Sequence, residues 1–289
     1  MAQVAKRLFG GQTMVAPLRR VLVRAPEESS LANWQAYGWR SAPDPKRLRS
    51  EHDDFCALLA EAGAEVVRGR APADGDPDAM YAHDASFICD EGAIVLRPGK
   101  SLRRVEAAAA AQDLEAAGVP IVVTLDSPAC AEAGDLVWLD ERTLLAGRTY
   151  RTNGAGIAAI AAAIPAVDVI ALDLPHADGP GSVLHLMSVI SMIDDDLAVV
   201  YPRLAPVRLL QLLAERGVRT IEVPDEEFDT MGPNVLALAP RGALVADGNP
   251  ETRRRLMAAG VDVTAYASVE LGKGDGGPTC LTRPLLRGE

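Results

Sequence analysis

The sequence predicts an α/β protein built from one supersecondary unit used five times. Three observations carry that expectation. A helical pattern followed by a turn residue and a β-branched run recurs along the chain. Paired short strands fall between the copies. Five copies in 289 residues give a period of about 58, the length of one strand–strand–helix–strand module. Repetition of a single unit predicts a closed or stacked array, against the ordinary alternative of one open α/β sheet.

The elements follow in order. "RRVLVRAP" (19–26) is a β-branched run ended by proline, an opening strand. "LANWQAYGWRSAPDPKRL" (31–48) carries Trp34 and Trp39 among Gly and Pro and reads as a long loop, either a lid or a folded-back excursion. "SEHDDFCALLAEAGAEVV" (50–67) has Ser50 as N-cap, helical spacing, then Gly63 and a strand. "RRVEAAAAAQDLEAAGVPIVV" (103–123) repeats this with Gly118. In "RTNGAGIAAIAAAIPAVDVIALDL" (151–174) Pro165 ends the helix. "APVRLLQLLAERGVRTIEVP" (205–224) and "NPETRRRLMAAGVDVTAYASV" (249–269) turn at Gly217 and Gly260. Between them lie strand pairs such as "ASFICDEGAIVLRP" and "SVISMIDDDLAVVYP". Residues 1–18 read as a poorly ordered leader and 19–289 as a single domain.

Composition narrows the function. The chain is 48% hydrophobic but only 4% aromatic, so Ala, Val and Leu pack helices onto strands. Its net charge of −11 leaves no basic face for phosphate backbones, which argues against nucleic acid and favours small cationic substrates. No run of 18 apolar residues predicts a membrane helix, and the N-terminus lacks the apolar centre of a secretory signal. The four cysteines, Cys56, Cys89, Cys130 and Cys280, share no metal-finger spacing and read as reduced thiols. Cytoplasmic localisation is the expectation. Alanine-rich helix faces permit a homo-oligomer without demonstrating one.

Subtracting the regular elements leaves four polar stretches: "DPDAMYAHDASF" (76–87), "EAGDLVW" (132–138), "GSVLHLMS" (181–188) and the glycine-rich "GKGDGGPTC" that ends at Cys280. Some motifs are decoys. "RPGKS" holds Ile94 where a phosphate loop needs glycine. His83–Asp84 sits between strand-like runs, and His176 with Asp178 lacks a third ligand, so no metal is expected. What remains are the parts of a thiol catalyst. A cysteine needs a neighbouring base or cation to ionise. His185, in an apolar run where histidine is out of place, supplies one, although a core histidine bonded to backbone is the ordinary reading of such a residue. Glu132 or Asp135 would orient the imidazole. Cysteine proteases, acyl transferases and guanidine-attacking enzymes all fit this chemistry.

Asp84, "EAGD" (132–135), "GRTYRTN" (147–153), "VLHL" (183–186) and "GGPTC" (276–280) occur in that order. In this the chain resembles the guanidine-modifying enzymes, or penteins: arginine deiminases, amidinotransferases and dimethylarginine dimethylaminohydrolases. The resemblance implies a pseudo-fivefold α/β propeller of ββαβ units, in agreement with the counted period. In size the chain is similar to the dimethylarginine hydrolases and lacks the extra helical module of longer arginine deiminases. The resemblance implies that Cys280 attacks a guanidinium carbon, that His185 is general acid and then base, and that Glu132 orients it. It further implies that Asp84 and, with less weight, Asp78 hold the cation, and that Arg103 and Arg151 hold a substrate carboxylate. The loop at Trp34 and Trp39 would be a flap, and Gly276–Gly277 would clear space for a thiol meeting a flat cation. His83 stands where that branch commonly has an acid and would accept one hydrogen bond. The implied reaction is hydrolysis of a methylated L-arginine to citrulline and an alkylamine, without cofactor. Deimination of arginine or another guanidino acid, amidino transfer, and a binding protein on the same fold are the alternatives.

Overall fold

The structure, a computed structural model, describes residues 7–288. Its strands form five sheets of three strands each, one sheet per module. The second module shows the plan. Strands β3 (Ser86–Cys89) and β4 (Gly92–Val95) pair antiparallel, helix α2 (Val105–Ala116) crosses over, and β5 (Ile121–Thr124) returns parallel to β4. The third repeats it with β6 (Leu136–Asp140), β7 (Thr143–Arg148), α3 (Gly154–Ala163) and β8 (Asp168–Asp173). The fourth uses β9 (Ile190–Asp194), β10 (Leu197–Val200), α4 (Val207–Glu215) and β11 (Arg219–Glu222). The fifth uses β12 (Leu236–Ala239), β13 (Gly242–Ala246), α5 (Pro250–Ala258) and β14 (Asp262–Tyr266).

The first module is closed by the far end of the chain. Strand β1 (Leu18–Arg24), helix α1 (Pro45–Glu61) and β2 (Glu65–Gly69) lack an inner strand of their own. β15 (Arg283–Arg287) supplies it by pairing antiparallel with β1. The ring is thereby latched. This strand was not expected, because "RPLLR" is short and carries a proline.

Inner strands such as β3 and β6 are buried almost throughout, whereas outer strands such as β5 and β11 are mostly exposed. The apolar contacts form separate clusters, one between each pair of neighbouring modules. Phe55 and Leu59 of α1, both 0% exposed, fill the seam between the fifth and first modules. Burial of this kind contributes about 1.5–3 kcal/mol per large side chain.

Local signals explain the helix ends. Gly63, Gly118, Gly217 and Gly260 all take positive φ, the left-handed turn that stops a helix before its returning strand. The expected N-cap Ser50 is corrected. α1 begins earlier, where Asp44 accepts from Lys46 N–H at 3.0 Å and Arg47 N–H at 3.1 Å and Pro45 takes the first helical position.

The expected leader is also different. Residues 1–6 lie outside the described residues, but from Gly10 the chain is fixed. Gly10 N–H donates to the Leu285 carbonyl at 2.8 Å, and Arg287 N–H to that of Gly10 at 3.0 Å. Backbone pairing needs no apolar periodicity, so the pattern did not reveal it.

Candidate active site

The site is assembled from the residues that lead into the inner strands. Asp84 precedes β3, Glu132 precedes β6, His185 precedes β9, Asn234 precedes β12 and Cys280 precedes β15. Each module therefore delivers one polar side chain to the same end of the ring.

His185 and Glu132 form its tightest pair, with Nε2 2.8 Å from Oε2. Glu132 is 0% exposed and His185 is 5%. The other carboxylate oxygen accepts from Lys100 N–H at 3.1 Å, and Arg151 Nη1 lies 3.4 Å from both oxygens. The imidazole stacks against Gly134, where a Cβ would come within 2.3 Å of Nδ1. That contact explains the glycine of "EAGD". Asp135, the other candidate orienter, instead accepts from Leu186 N–H at 2.9 Å and the Thr149 hydroxyl at 2.8 Å. It holds the backbone beside His185 and does not reach the ring.

Burial alone would lower the His185 pKa, but Asp84, then Asp135 and the Glu132 hydrogen bond, raise it to about 9. Burial is the largest influence on Glu132 and would raise it, but the hydrogen bond and charge of His185, with the Arg151 charge, together hold it below the usual carboxylate range. Burial, with Asp84 nearby, pushes the Cys280 thiol up to about 12. The resting site thus holds an imidazolium and a neutral thiol.

Cys280 and His185 line one cavity of about 660 Å³, together with Tyr150, Arg151, His176 and Asn234. Asn234 Nδ2 lies 3.5 Å from Cys280 Sγ, and its Oδ1 accepts from Thr279 N–H at 3.0 Å. Sequence reasoning missed this residue. Tyr150 and His176 were missed as wall residues too; they join through the phenolic oxygen and Nδ1 at 2.7 Å.

Other expected positions serve different contacts. Arg103 pairs with Glu106 at 2.5 Å and with Asp84 at 2.6 Å, and donates to the Tyr81 carbonyl at 3.2 Å. All three of its nitrogens are thus engaged with protein groups. Asp84 also accepts from Gly134 N–H at 3.0 Å. It therefore neighbours the His185–Glu132 pair without lining the cavity. Asp78 takes the Trp39 indole N–H and Lys100 Nζ, both at 2.7 Å, which docks the Trp34/Trp39 segment on the second module. His83 turns away from the cavity, with Nδ1 2.5 Å from Arg283 Nη2. A Cβ on Gly277 would fall 2.5 Å from Asn234 Oδ1, so this glycine makes room for the asparagine. Arg151 lines the cavity, as do Arg40 and Arg148.

Asp84, Glu132 and His185 have ligand atoms within 4.8 Å of one another. Arg103 already pairs with Asp84 and the imidazole with Glu132, so these donors are engaged with each other. Cys56 and Cys89 are buried away from the site, and all four cysteines are free.

The chain is similar in sequence and in fold to known proteins. A family model described as "Arginine deiminase" matches residues 76–211 and 205–287. An N(G),N(G)-dimethylarginine dimethylaminohydrolase of Streptomyces coelicolor is 26% identical over 266 residues, which is 92% of this chain and 96% of that protein. A dimethylarginine dimethylaminohydrolase of Pseudomonas aeruginosa in complex with citrulline superposes with a TM-score of 0.77 at 20% identity, covering 92% of this chain and 98% of that one. The substrate-bound N-terminal domain of ArgZ, an arginine dihydrolase from cyanobacteria, gives 0.80 at 19% identity, over 93% and 98% of the two chains.

Proposed function

The chain belongs to the arginine deiminase family and is a hydrolase of guanidino C–N bonds; from that premise we propose that it removes the alkylamine from an Nω-methylated L-arginine by way of a thiol adduct on Cys280. The observation that carries this reading is the buried His185–Glu132 pair at 2.8 Å, whose imidazole shares one cavity with Cys280. The end-to-end likeness to a dimethylarginine dimethylaminohydrolase supports the methylated substrate. Arginine itself or another guanidino acid is the second reading, supported by the family model.

In the proposed reaction the cation is part of the catalyst. A thiol with a pKa near 12 is almost wholly protonated at neutral pH, and a guanidinium placed beside it lowers that value. The thiol releases its proton to solvent, and the thiolate attacks the central guanidino carbon, forming a C–S bond. His185 gives its proton to the departing amine as the C–N bond breaks. The covalent thiouronium is then attacked by water, whose proton returns to His185. The C–S bond breaks, leaving a ureido product and the thiol. Glu132 holds the imidazole in place and charged, so Glu132→Gln lowers the rate through His185. Arg151, one of three arginines that line the cavity, is the one assigned to an α-carboxylate; Arg151→Met is expected to raise KM far more than it lowers kcat.

Acid quenching during turnover of asymmetric dimethylarginine, followed by peptide mass analysis, tests the adduct. The expected result is an amidino modification on Cys280 alone. Modification of Cys130 or of no cysteine, under conditions where product forms, would contradict it.

A further inference from the structure

We propose that the axis of the propeller is a binding site for one small inorganic anion of the size of chloride, held between Arg283, Arg287 and His83. The three residues line a cavity of about 40 Å³, separate from the catalytic cavity, whose other walls include Phe87, Leu136 and Trp138. That volume admits a species the size of a water molecule or a chloride ion and is too small for sulfate or phosphate.

The argument is one of charge and donors. Arg283 and Arg287 stand four residues apart on β15, on one face of the strand, and are 4% and 3% exposed. Every hydrogen bond they make is to a neutral group. Arg287 donates to the Ala16 carbonyl at 2.8 Å and the Ala237 carbonyl at 2.9 Å. Arg283 donates to His83 Nδ1 at 2.5 Å and the His83 carbonyl at 3.2 Å. Among the described residues neither pairs with a carboxylate within 4 Å. The equally buried Arg103 shows the contrast, with two carboxylates on its fork. Buried cations without counter-charge are costly.

Two side-chain nitrogens at this place also lack partners. Arg283 Nε and His83 Nε2 are buried and have no hydrogen-bond partner among the described residues. His83 Nδ1 faces both Arg283 Nη2 at 2.5 Å and the Thr282 carbonyl oxygen at 2.9 Å, so the unpartnered donor that carries the argument is Arg283 Nε, which can only donate. An anion satisfies that N–H, and a cation is repelled by it. Burial in the absence of a counter-ion pulls Arg283 down to about 9 and Arg287 to about 10, the direction such a site requires. Asp84, the carboxylate felt at Arg283, is already committed to Arg103 and Gly134. His83 N–H donates to the Cys280 carbonyl at 3.1 Å, so the anion would brace the nucleophile's segment from behind.

The test needs no catalytic activity. Thermal unfolding of the full chain is followed at constant ionic strength while sodium gluconate is exchanged for sodium chloride or bromide. The expected result is a saturable rise in midpoint of a few degrees with either halide, reduced or lost in Arg287→Met. A crystal grown in bromide should show an anomalous peak between Arg283 and Arg287, an outcome that stands even where the variant does not fold. Equal midpoints in gluconate and halide would overturn the proposal, as would a bromide-grown crystal without that peak; the cavity would then hold water only.

Discussion

At the scale of single residues, the account rests on two raised pKa values and their causes. The reactive pair, a thiolate with an imidazolium, carries one proton fewer than the resting site. With His185 near 9 and Cys280 near 12, its population rises with pH up to about 9. Above that, the proton leaves the imidazole and the population levels. kcat/KM should accordingly climb about tenfold per pH unit from neutrality and level near 9. Glu132→Gln removes one of the contributions that raise His185, so the levelling point should move to lower pH, with a lower plateau. A profile whose break stays in place would show that Glu132 does not tune the imidazole. Asn234→Ala removes the amide 3.5 Å from the thiol and should lower kcat/KM by about tenfold or more without altering the thermal midpoint greatly. The thiol, histidine and glutamate were legible because each is chemically out of place in its stretch. Asn234 was not, since "GPNV" also reads as an ordinary turn. The signal that finds it is positional: four modules place a polar residue just before the inner strand, and Asn234 holds that place in the fifth. Sequence order cannot show that Glu106 and Asp84 pair with Arg103.

At the scale of elements, the repeat was readable wherever a helix was followed by glycine. Gly63, Gly118, Gly217 and Gly260 mark real left-handed turns, and a positive φ is a local demand that leaves its trace in residue type. Helix starts were less legible. Ser50 and Asp44 are both acceptable caps, and Pro45 decides between them by taking the first helical position. Asp44→Ala should therefore destabilise the chain by about 1 kcal/mol in urea titration, whereas Ser50→Ala should be nearly silent. The 31–48 loop was recognised as one that carries its own anchors. Its attachment depends on partners far away in sequence. Trp39 reaches Asp78 at 2.7 Å, and Arg40 reaches Asp275 at 2.5 Å, so the segment bridges the second module and the loop before Cys280. Trp39→Phe keeps the apolar ring and loses the indole donor; proteolysis within 34–43 should accelerate if that bond holds the segment down.

For the molecule as a whole, the ring is what makes the site. No single module carries more than one of the five polar residues, and closure by β15 brings Cys280 to the others. A linear reading saw the thiol near the end of the chain but not the strand behind it. Short strands with proline give almost no pattern, and their partner, β1, lies at the other end of the sequence. Leu285, 0% exposed between β1 and the second module, tests the latch. Leu285→Ala should cost about 2–5 kcal/mol and lower activity and stability together, unlike the site variants, which lower activity alone.

The measurement that tests the central claim most directly is formation of ureido product from asymmetric dimethylarginine, monomethylarginine and arginine in parallel, with Cys280→Ser alongside. The account predicts citrulline from the methylated substrates, at a higher kcat/KM than from arginine, and none from the variant. Citrulline from arginine alone would keep the thiol chemistry and contradict the proposed substrate. Product from Cys280→Ser at the wild-type rate would contradict the mechanism itself.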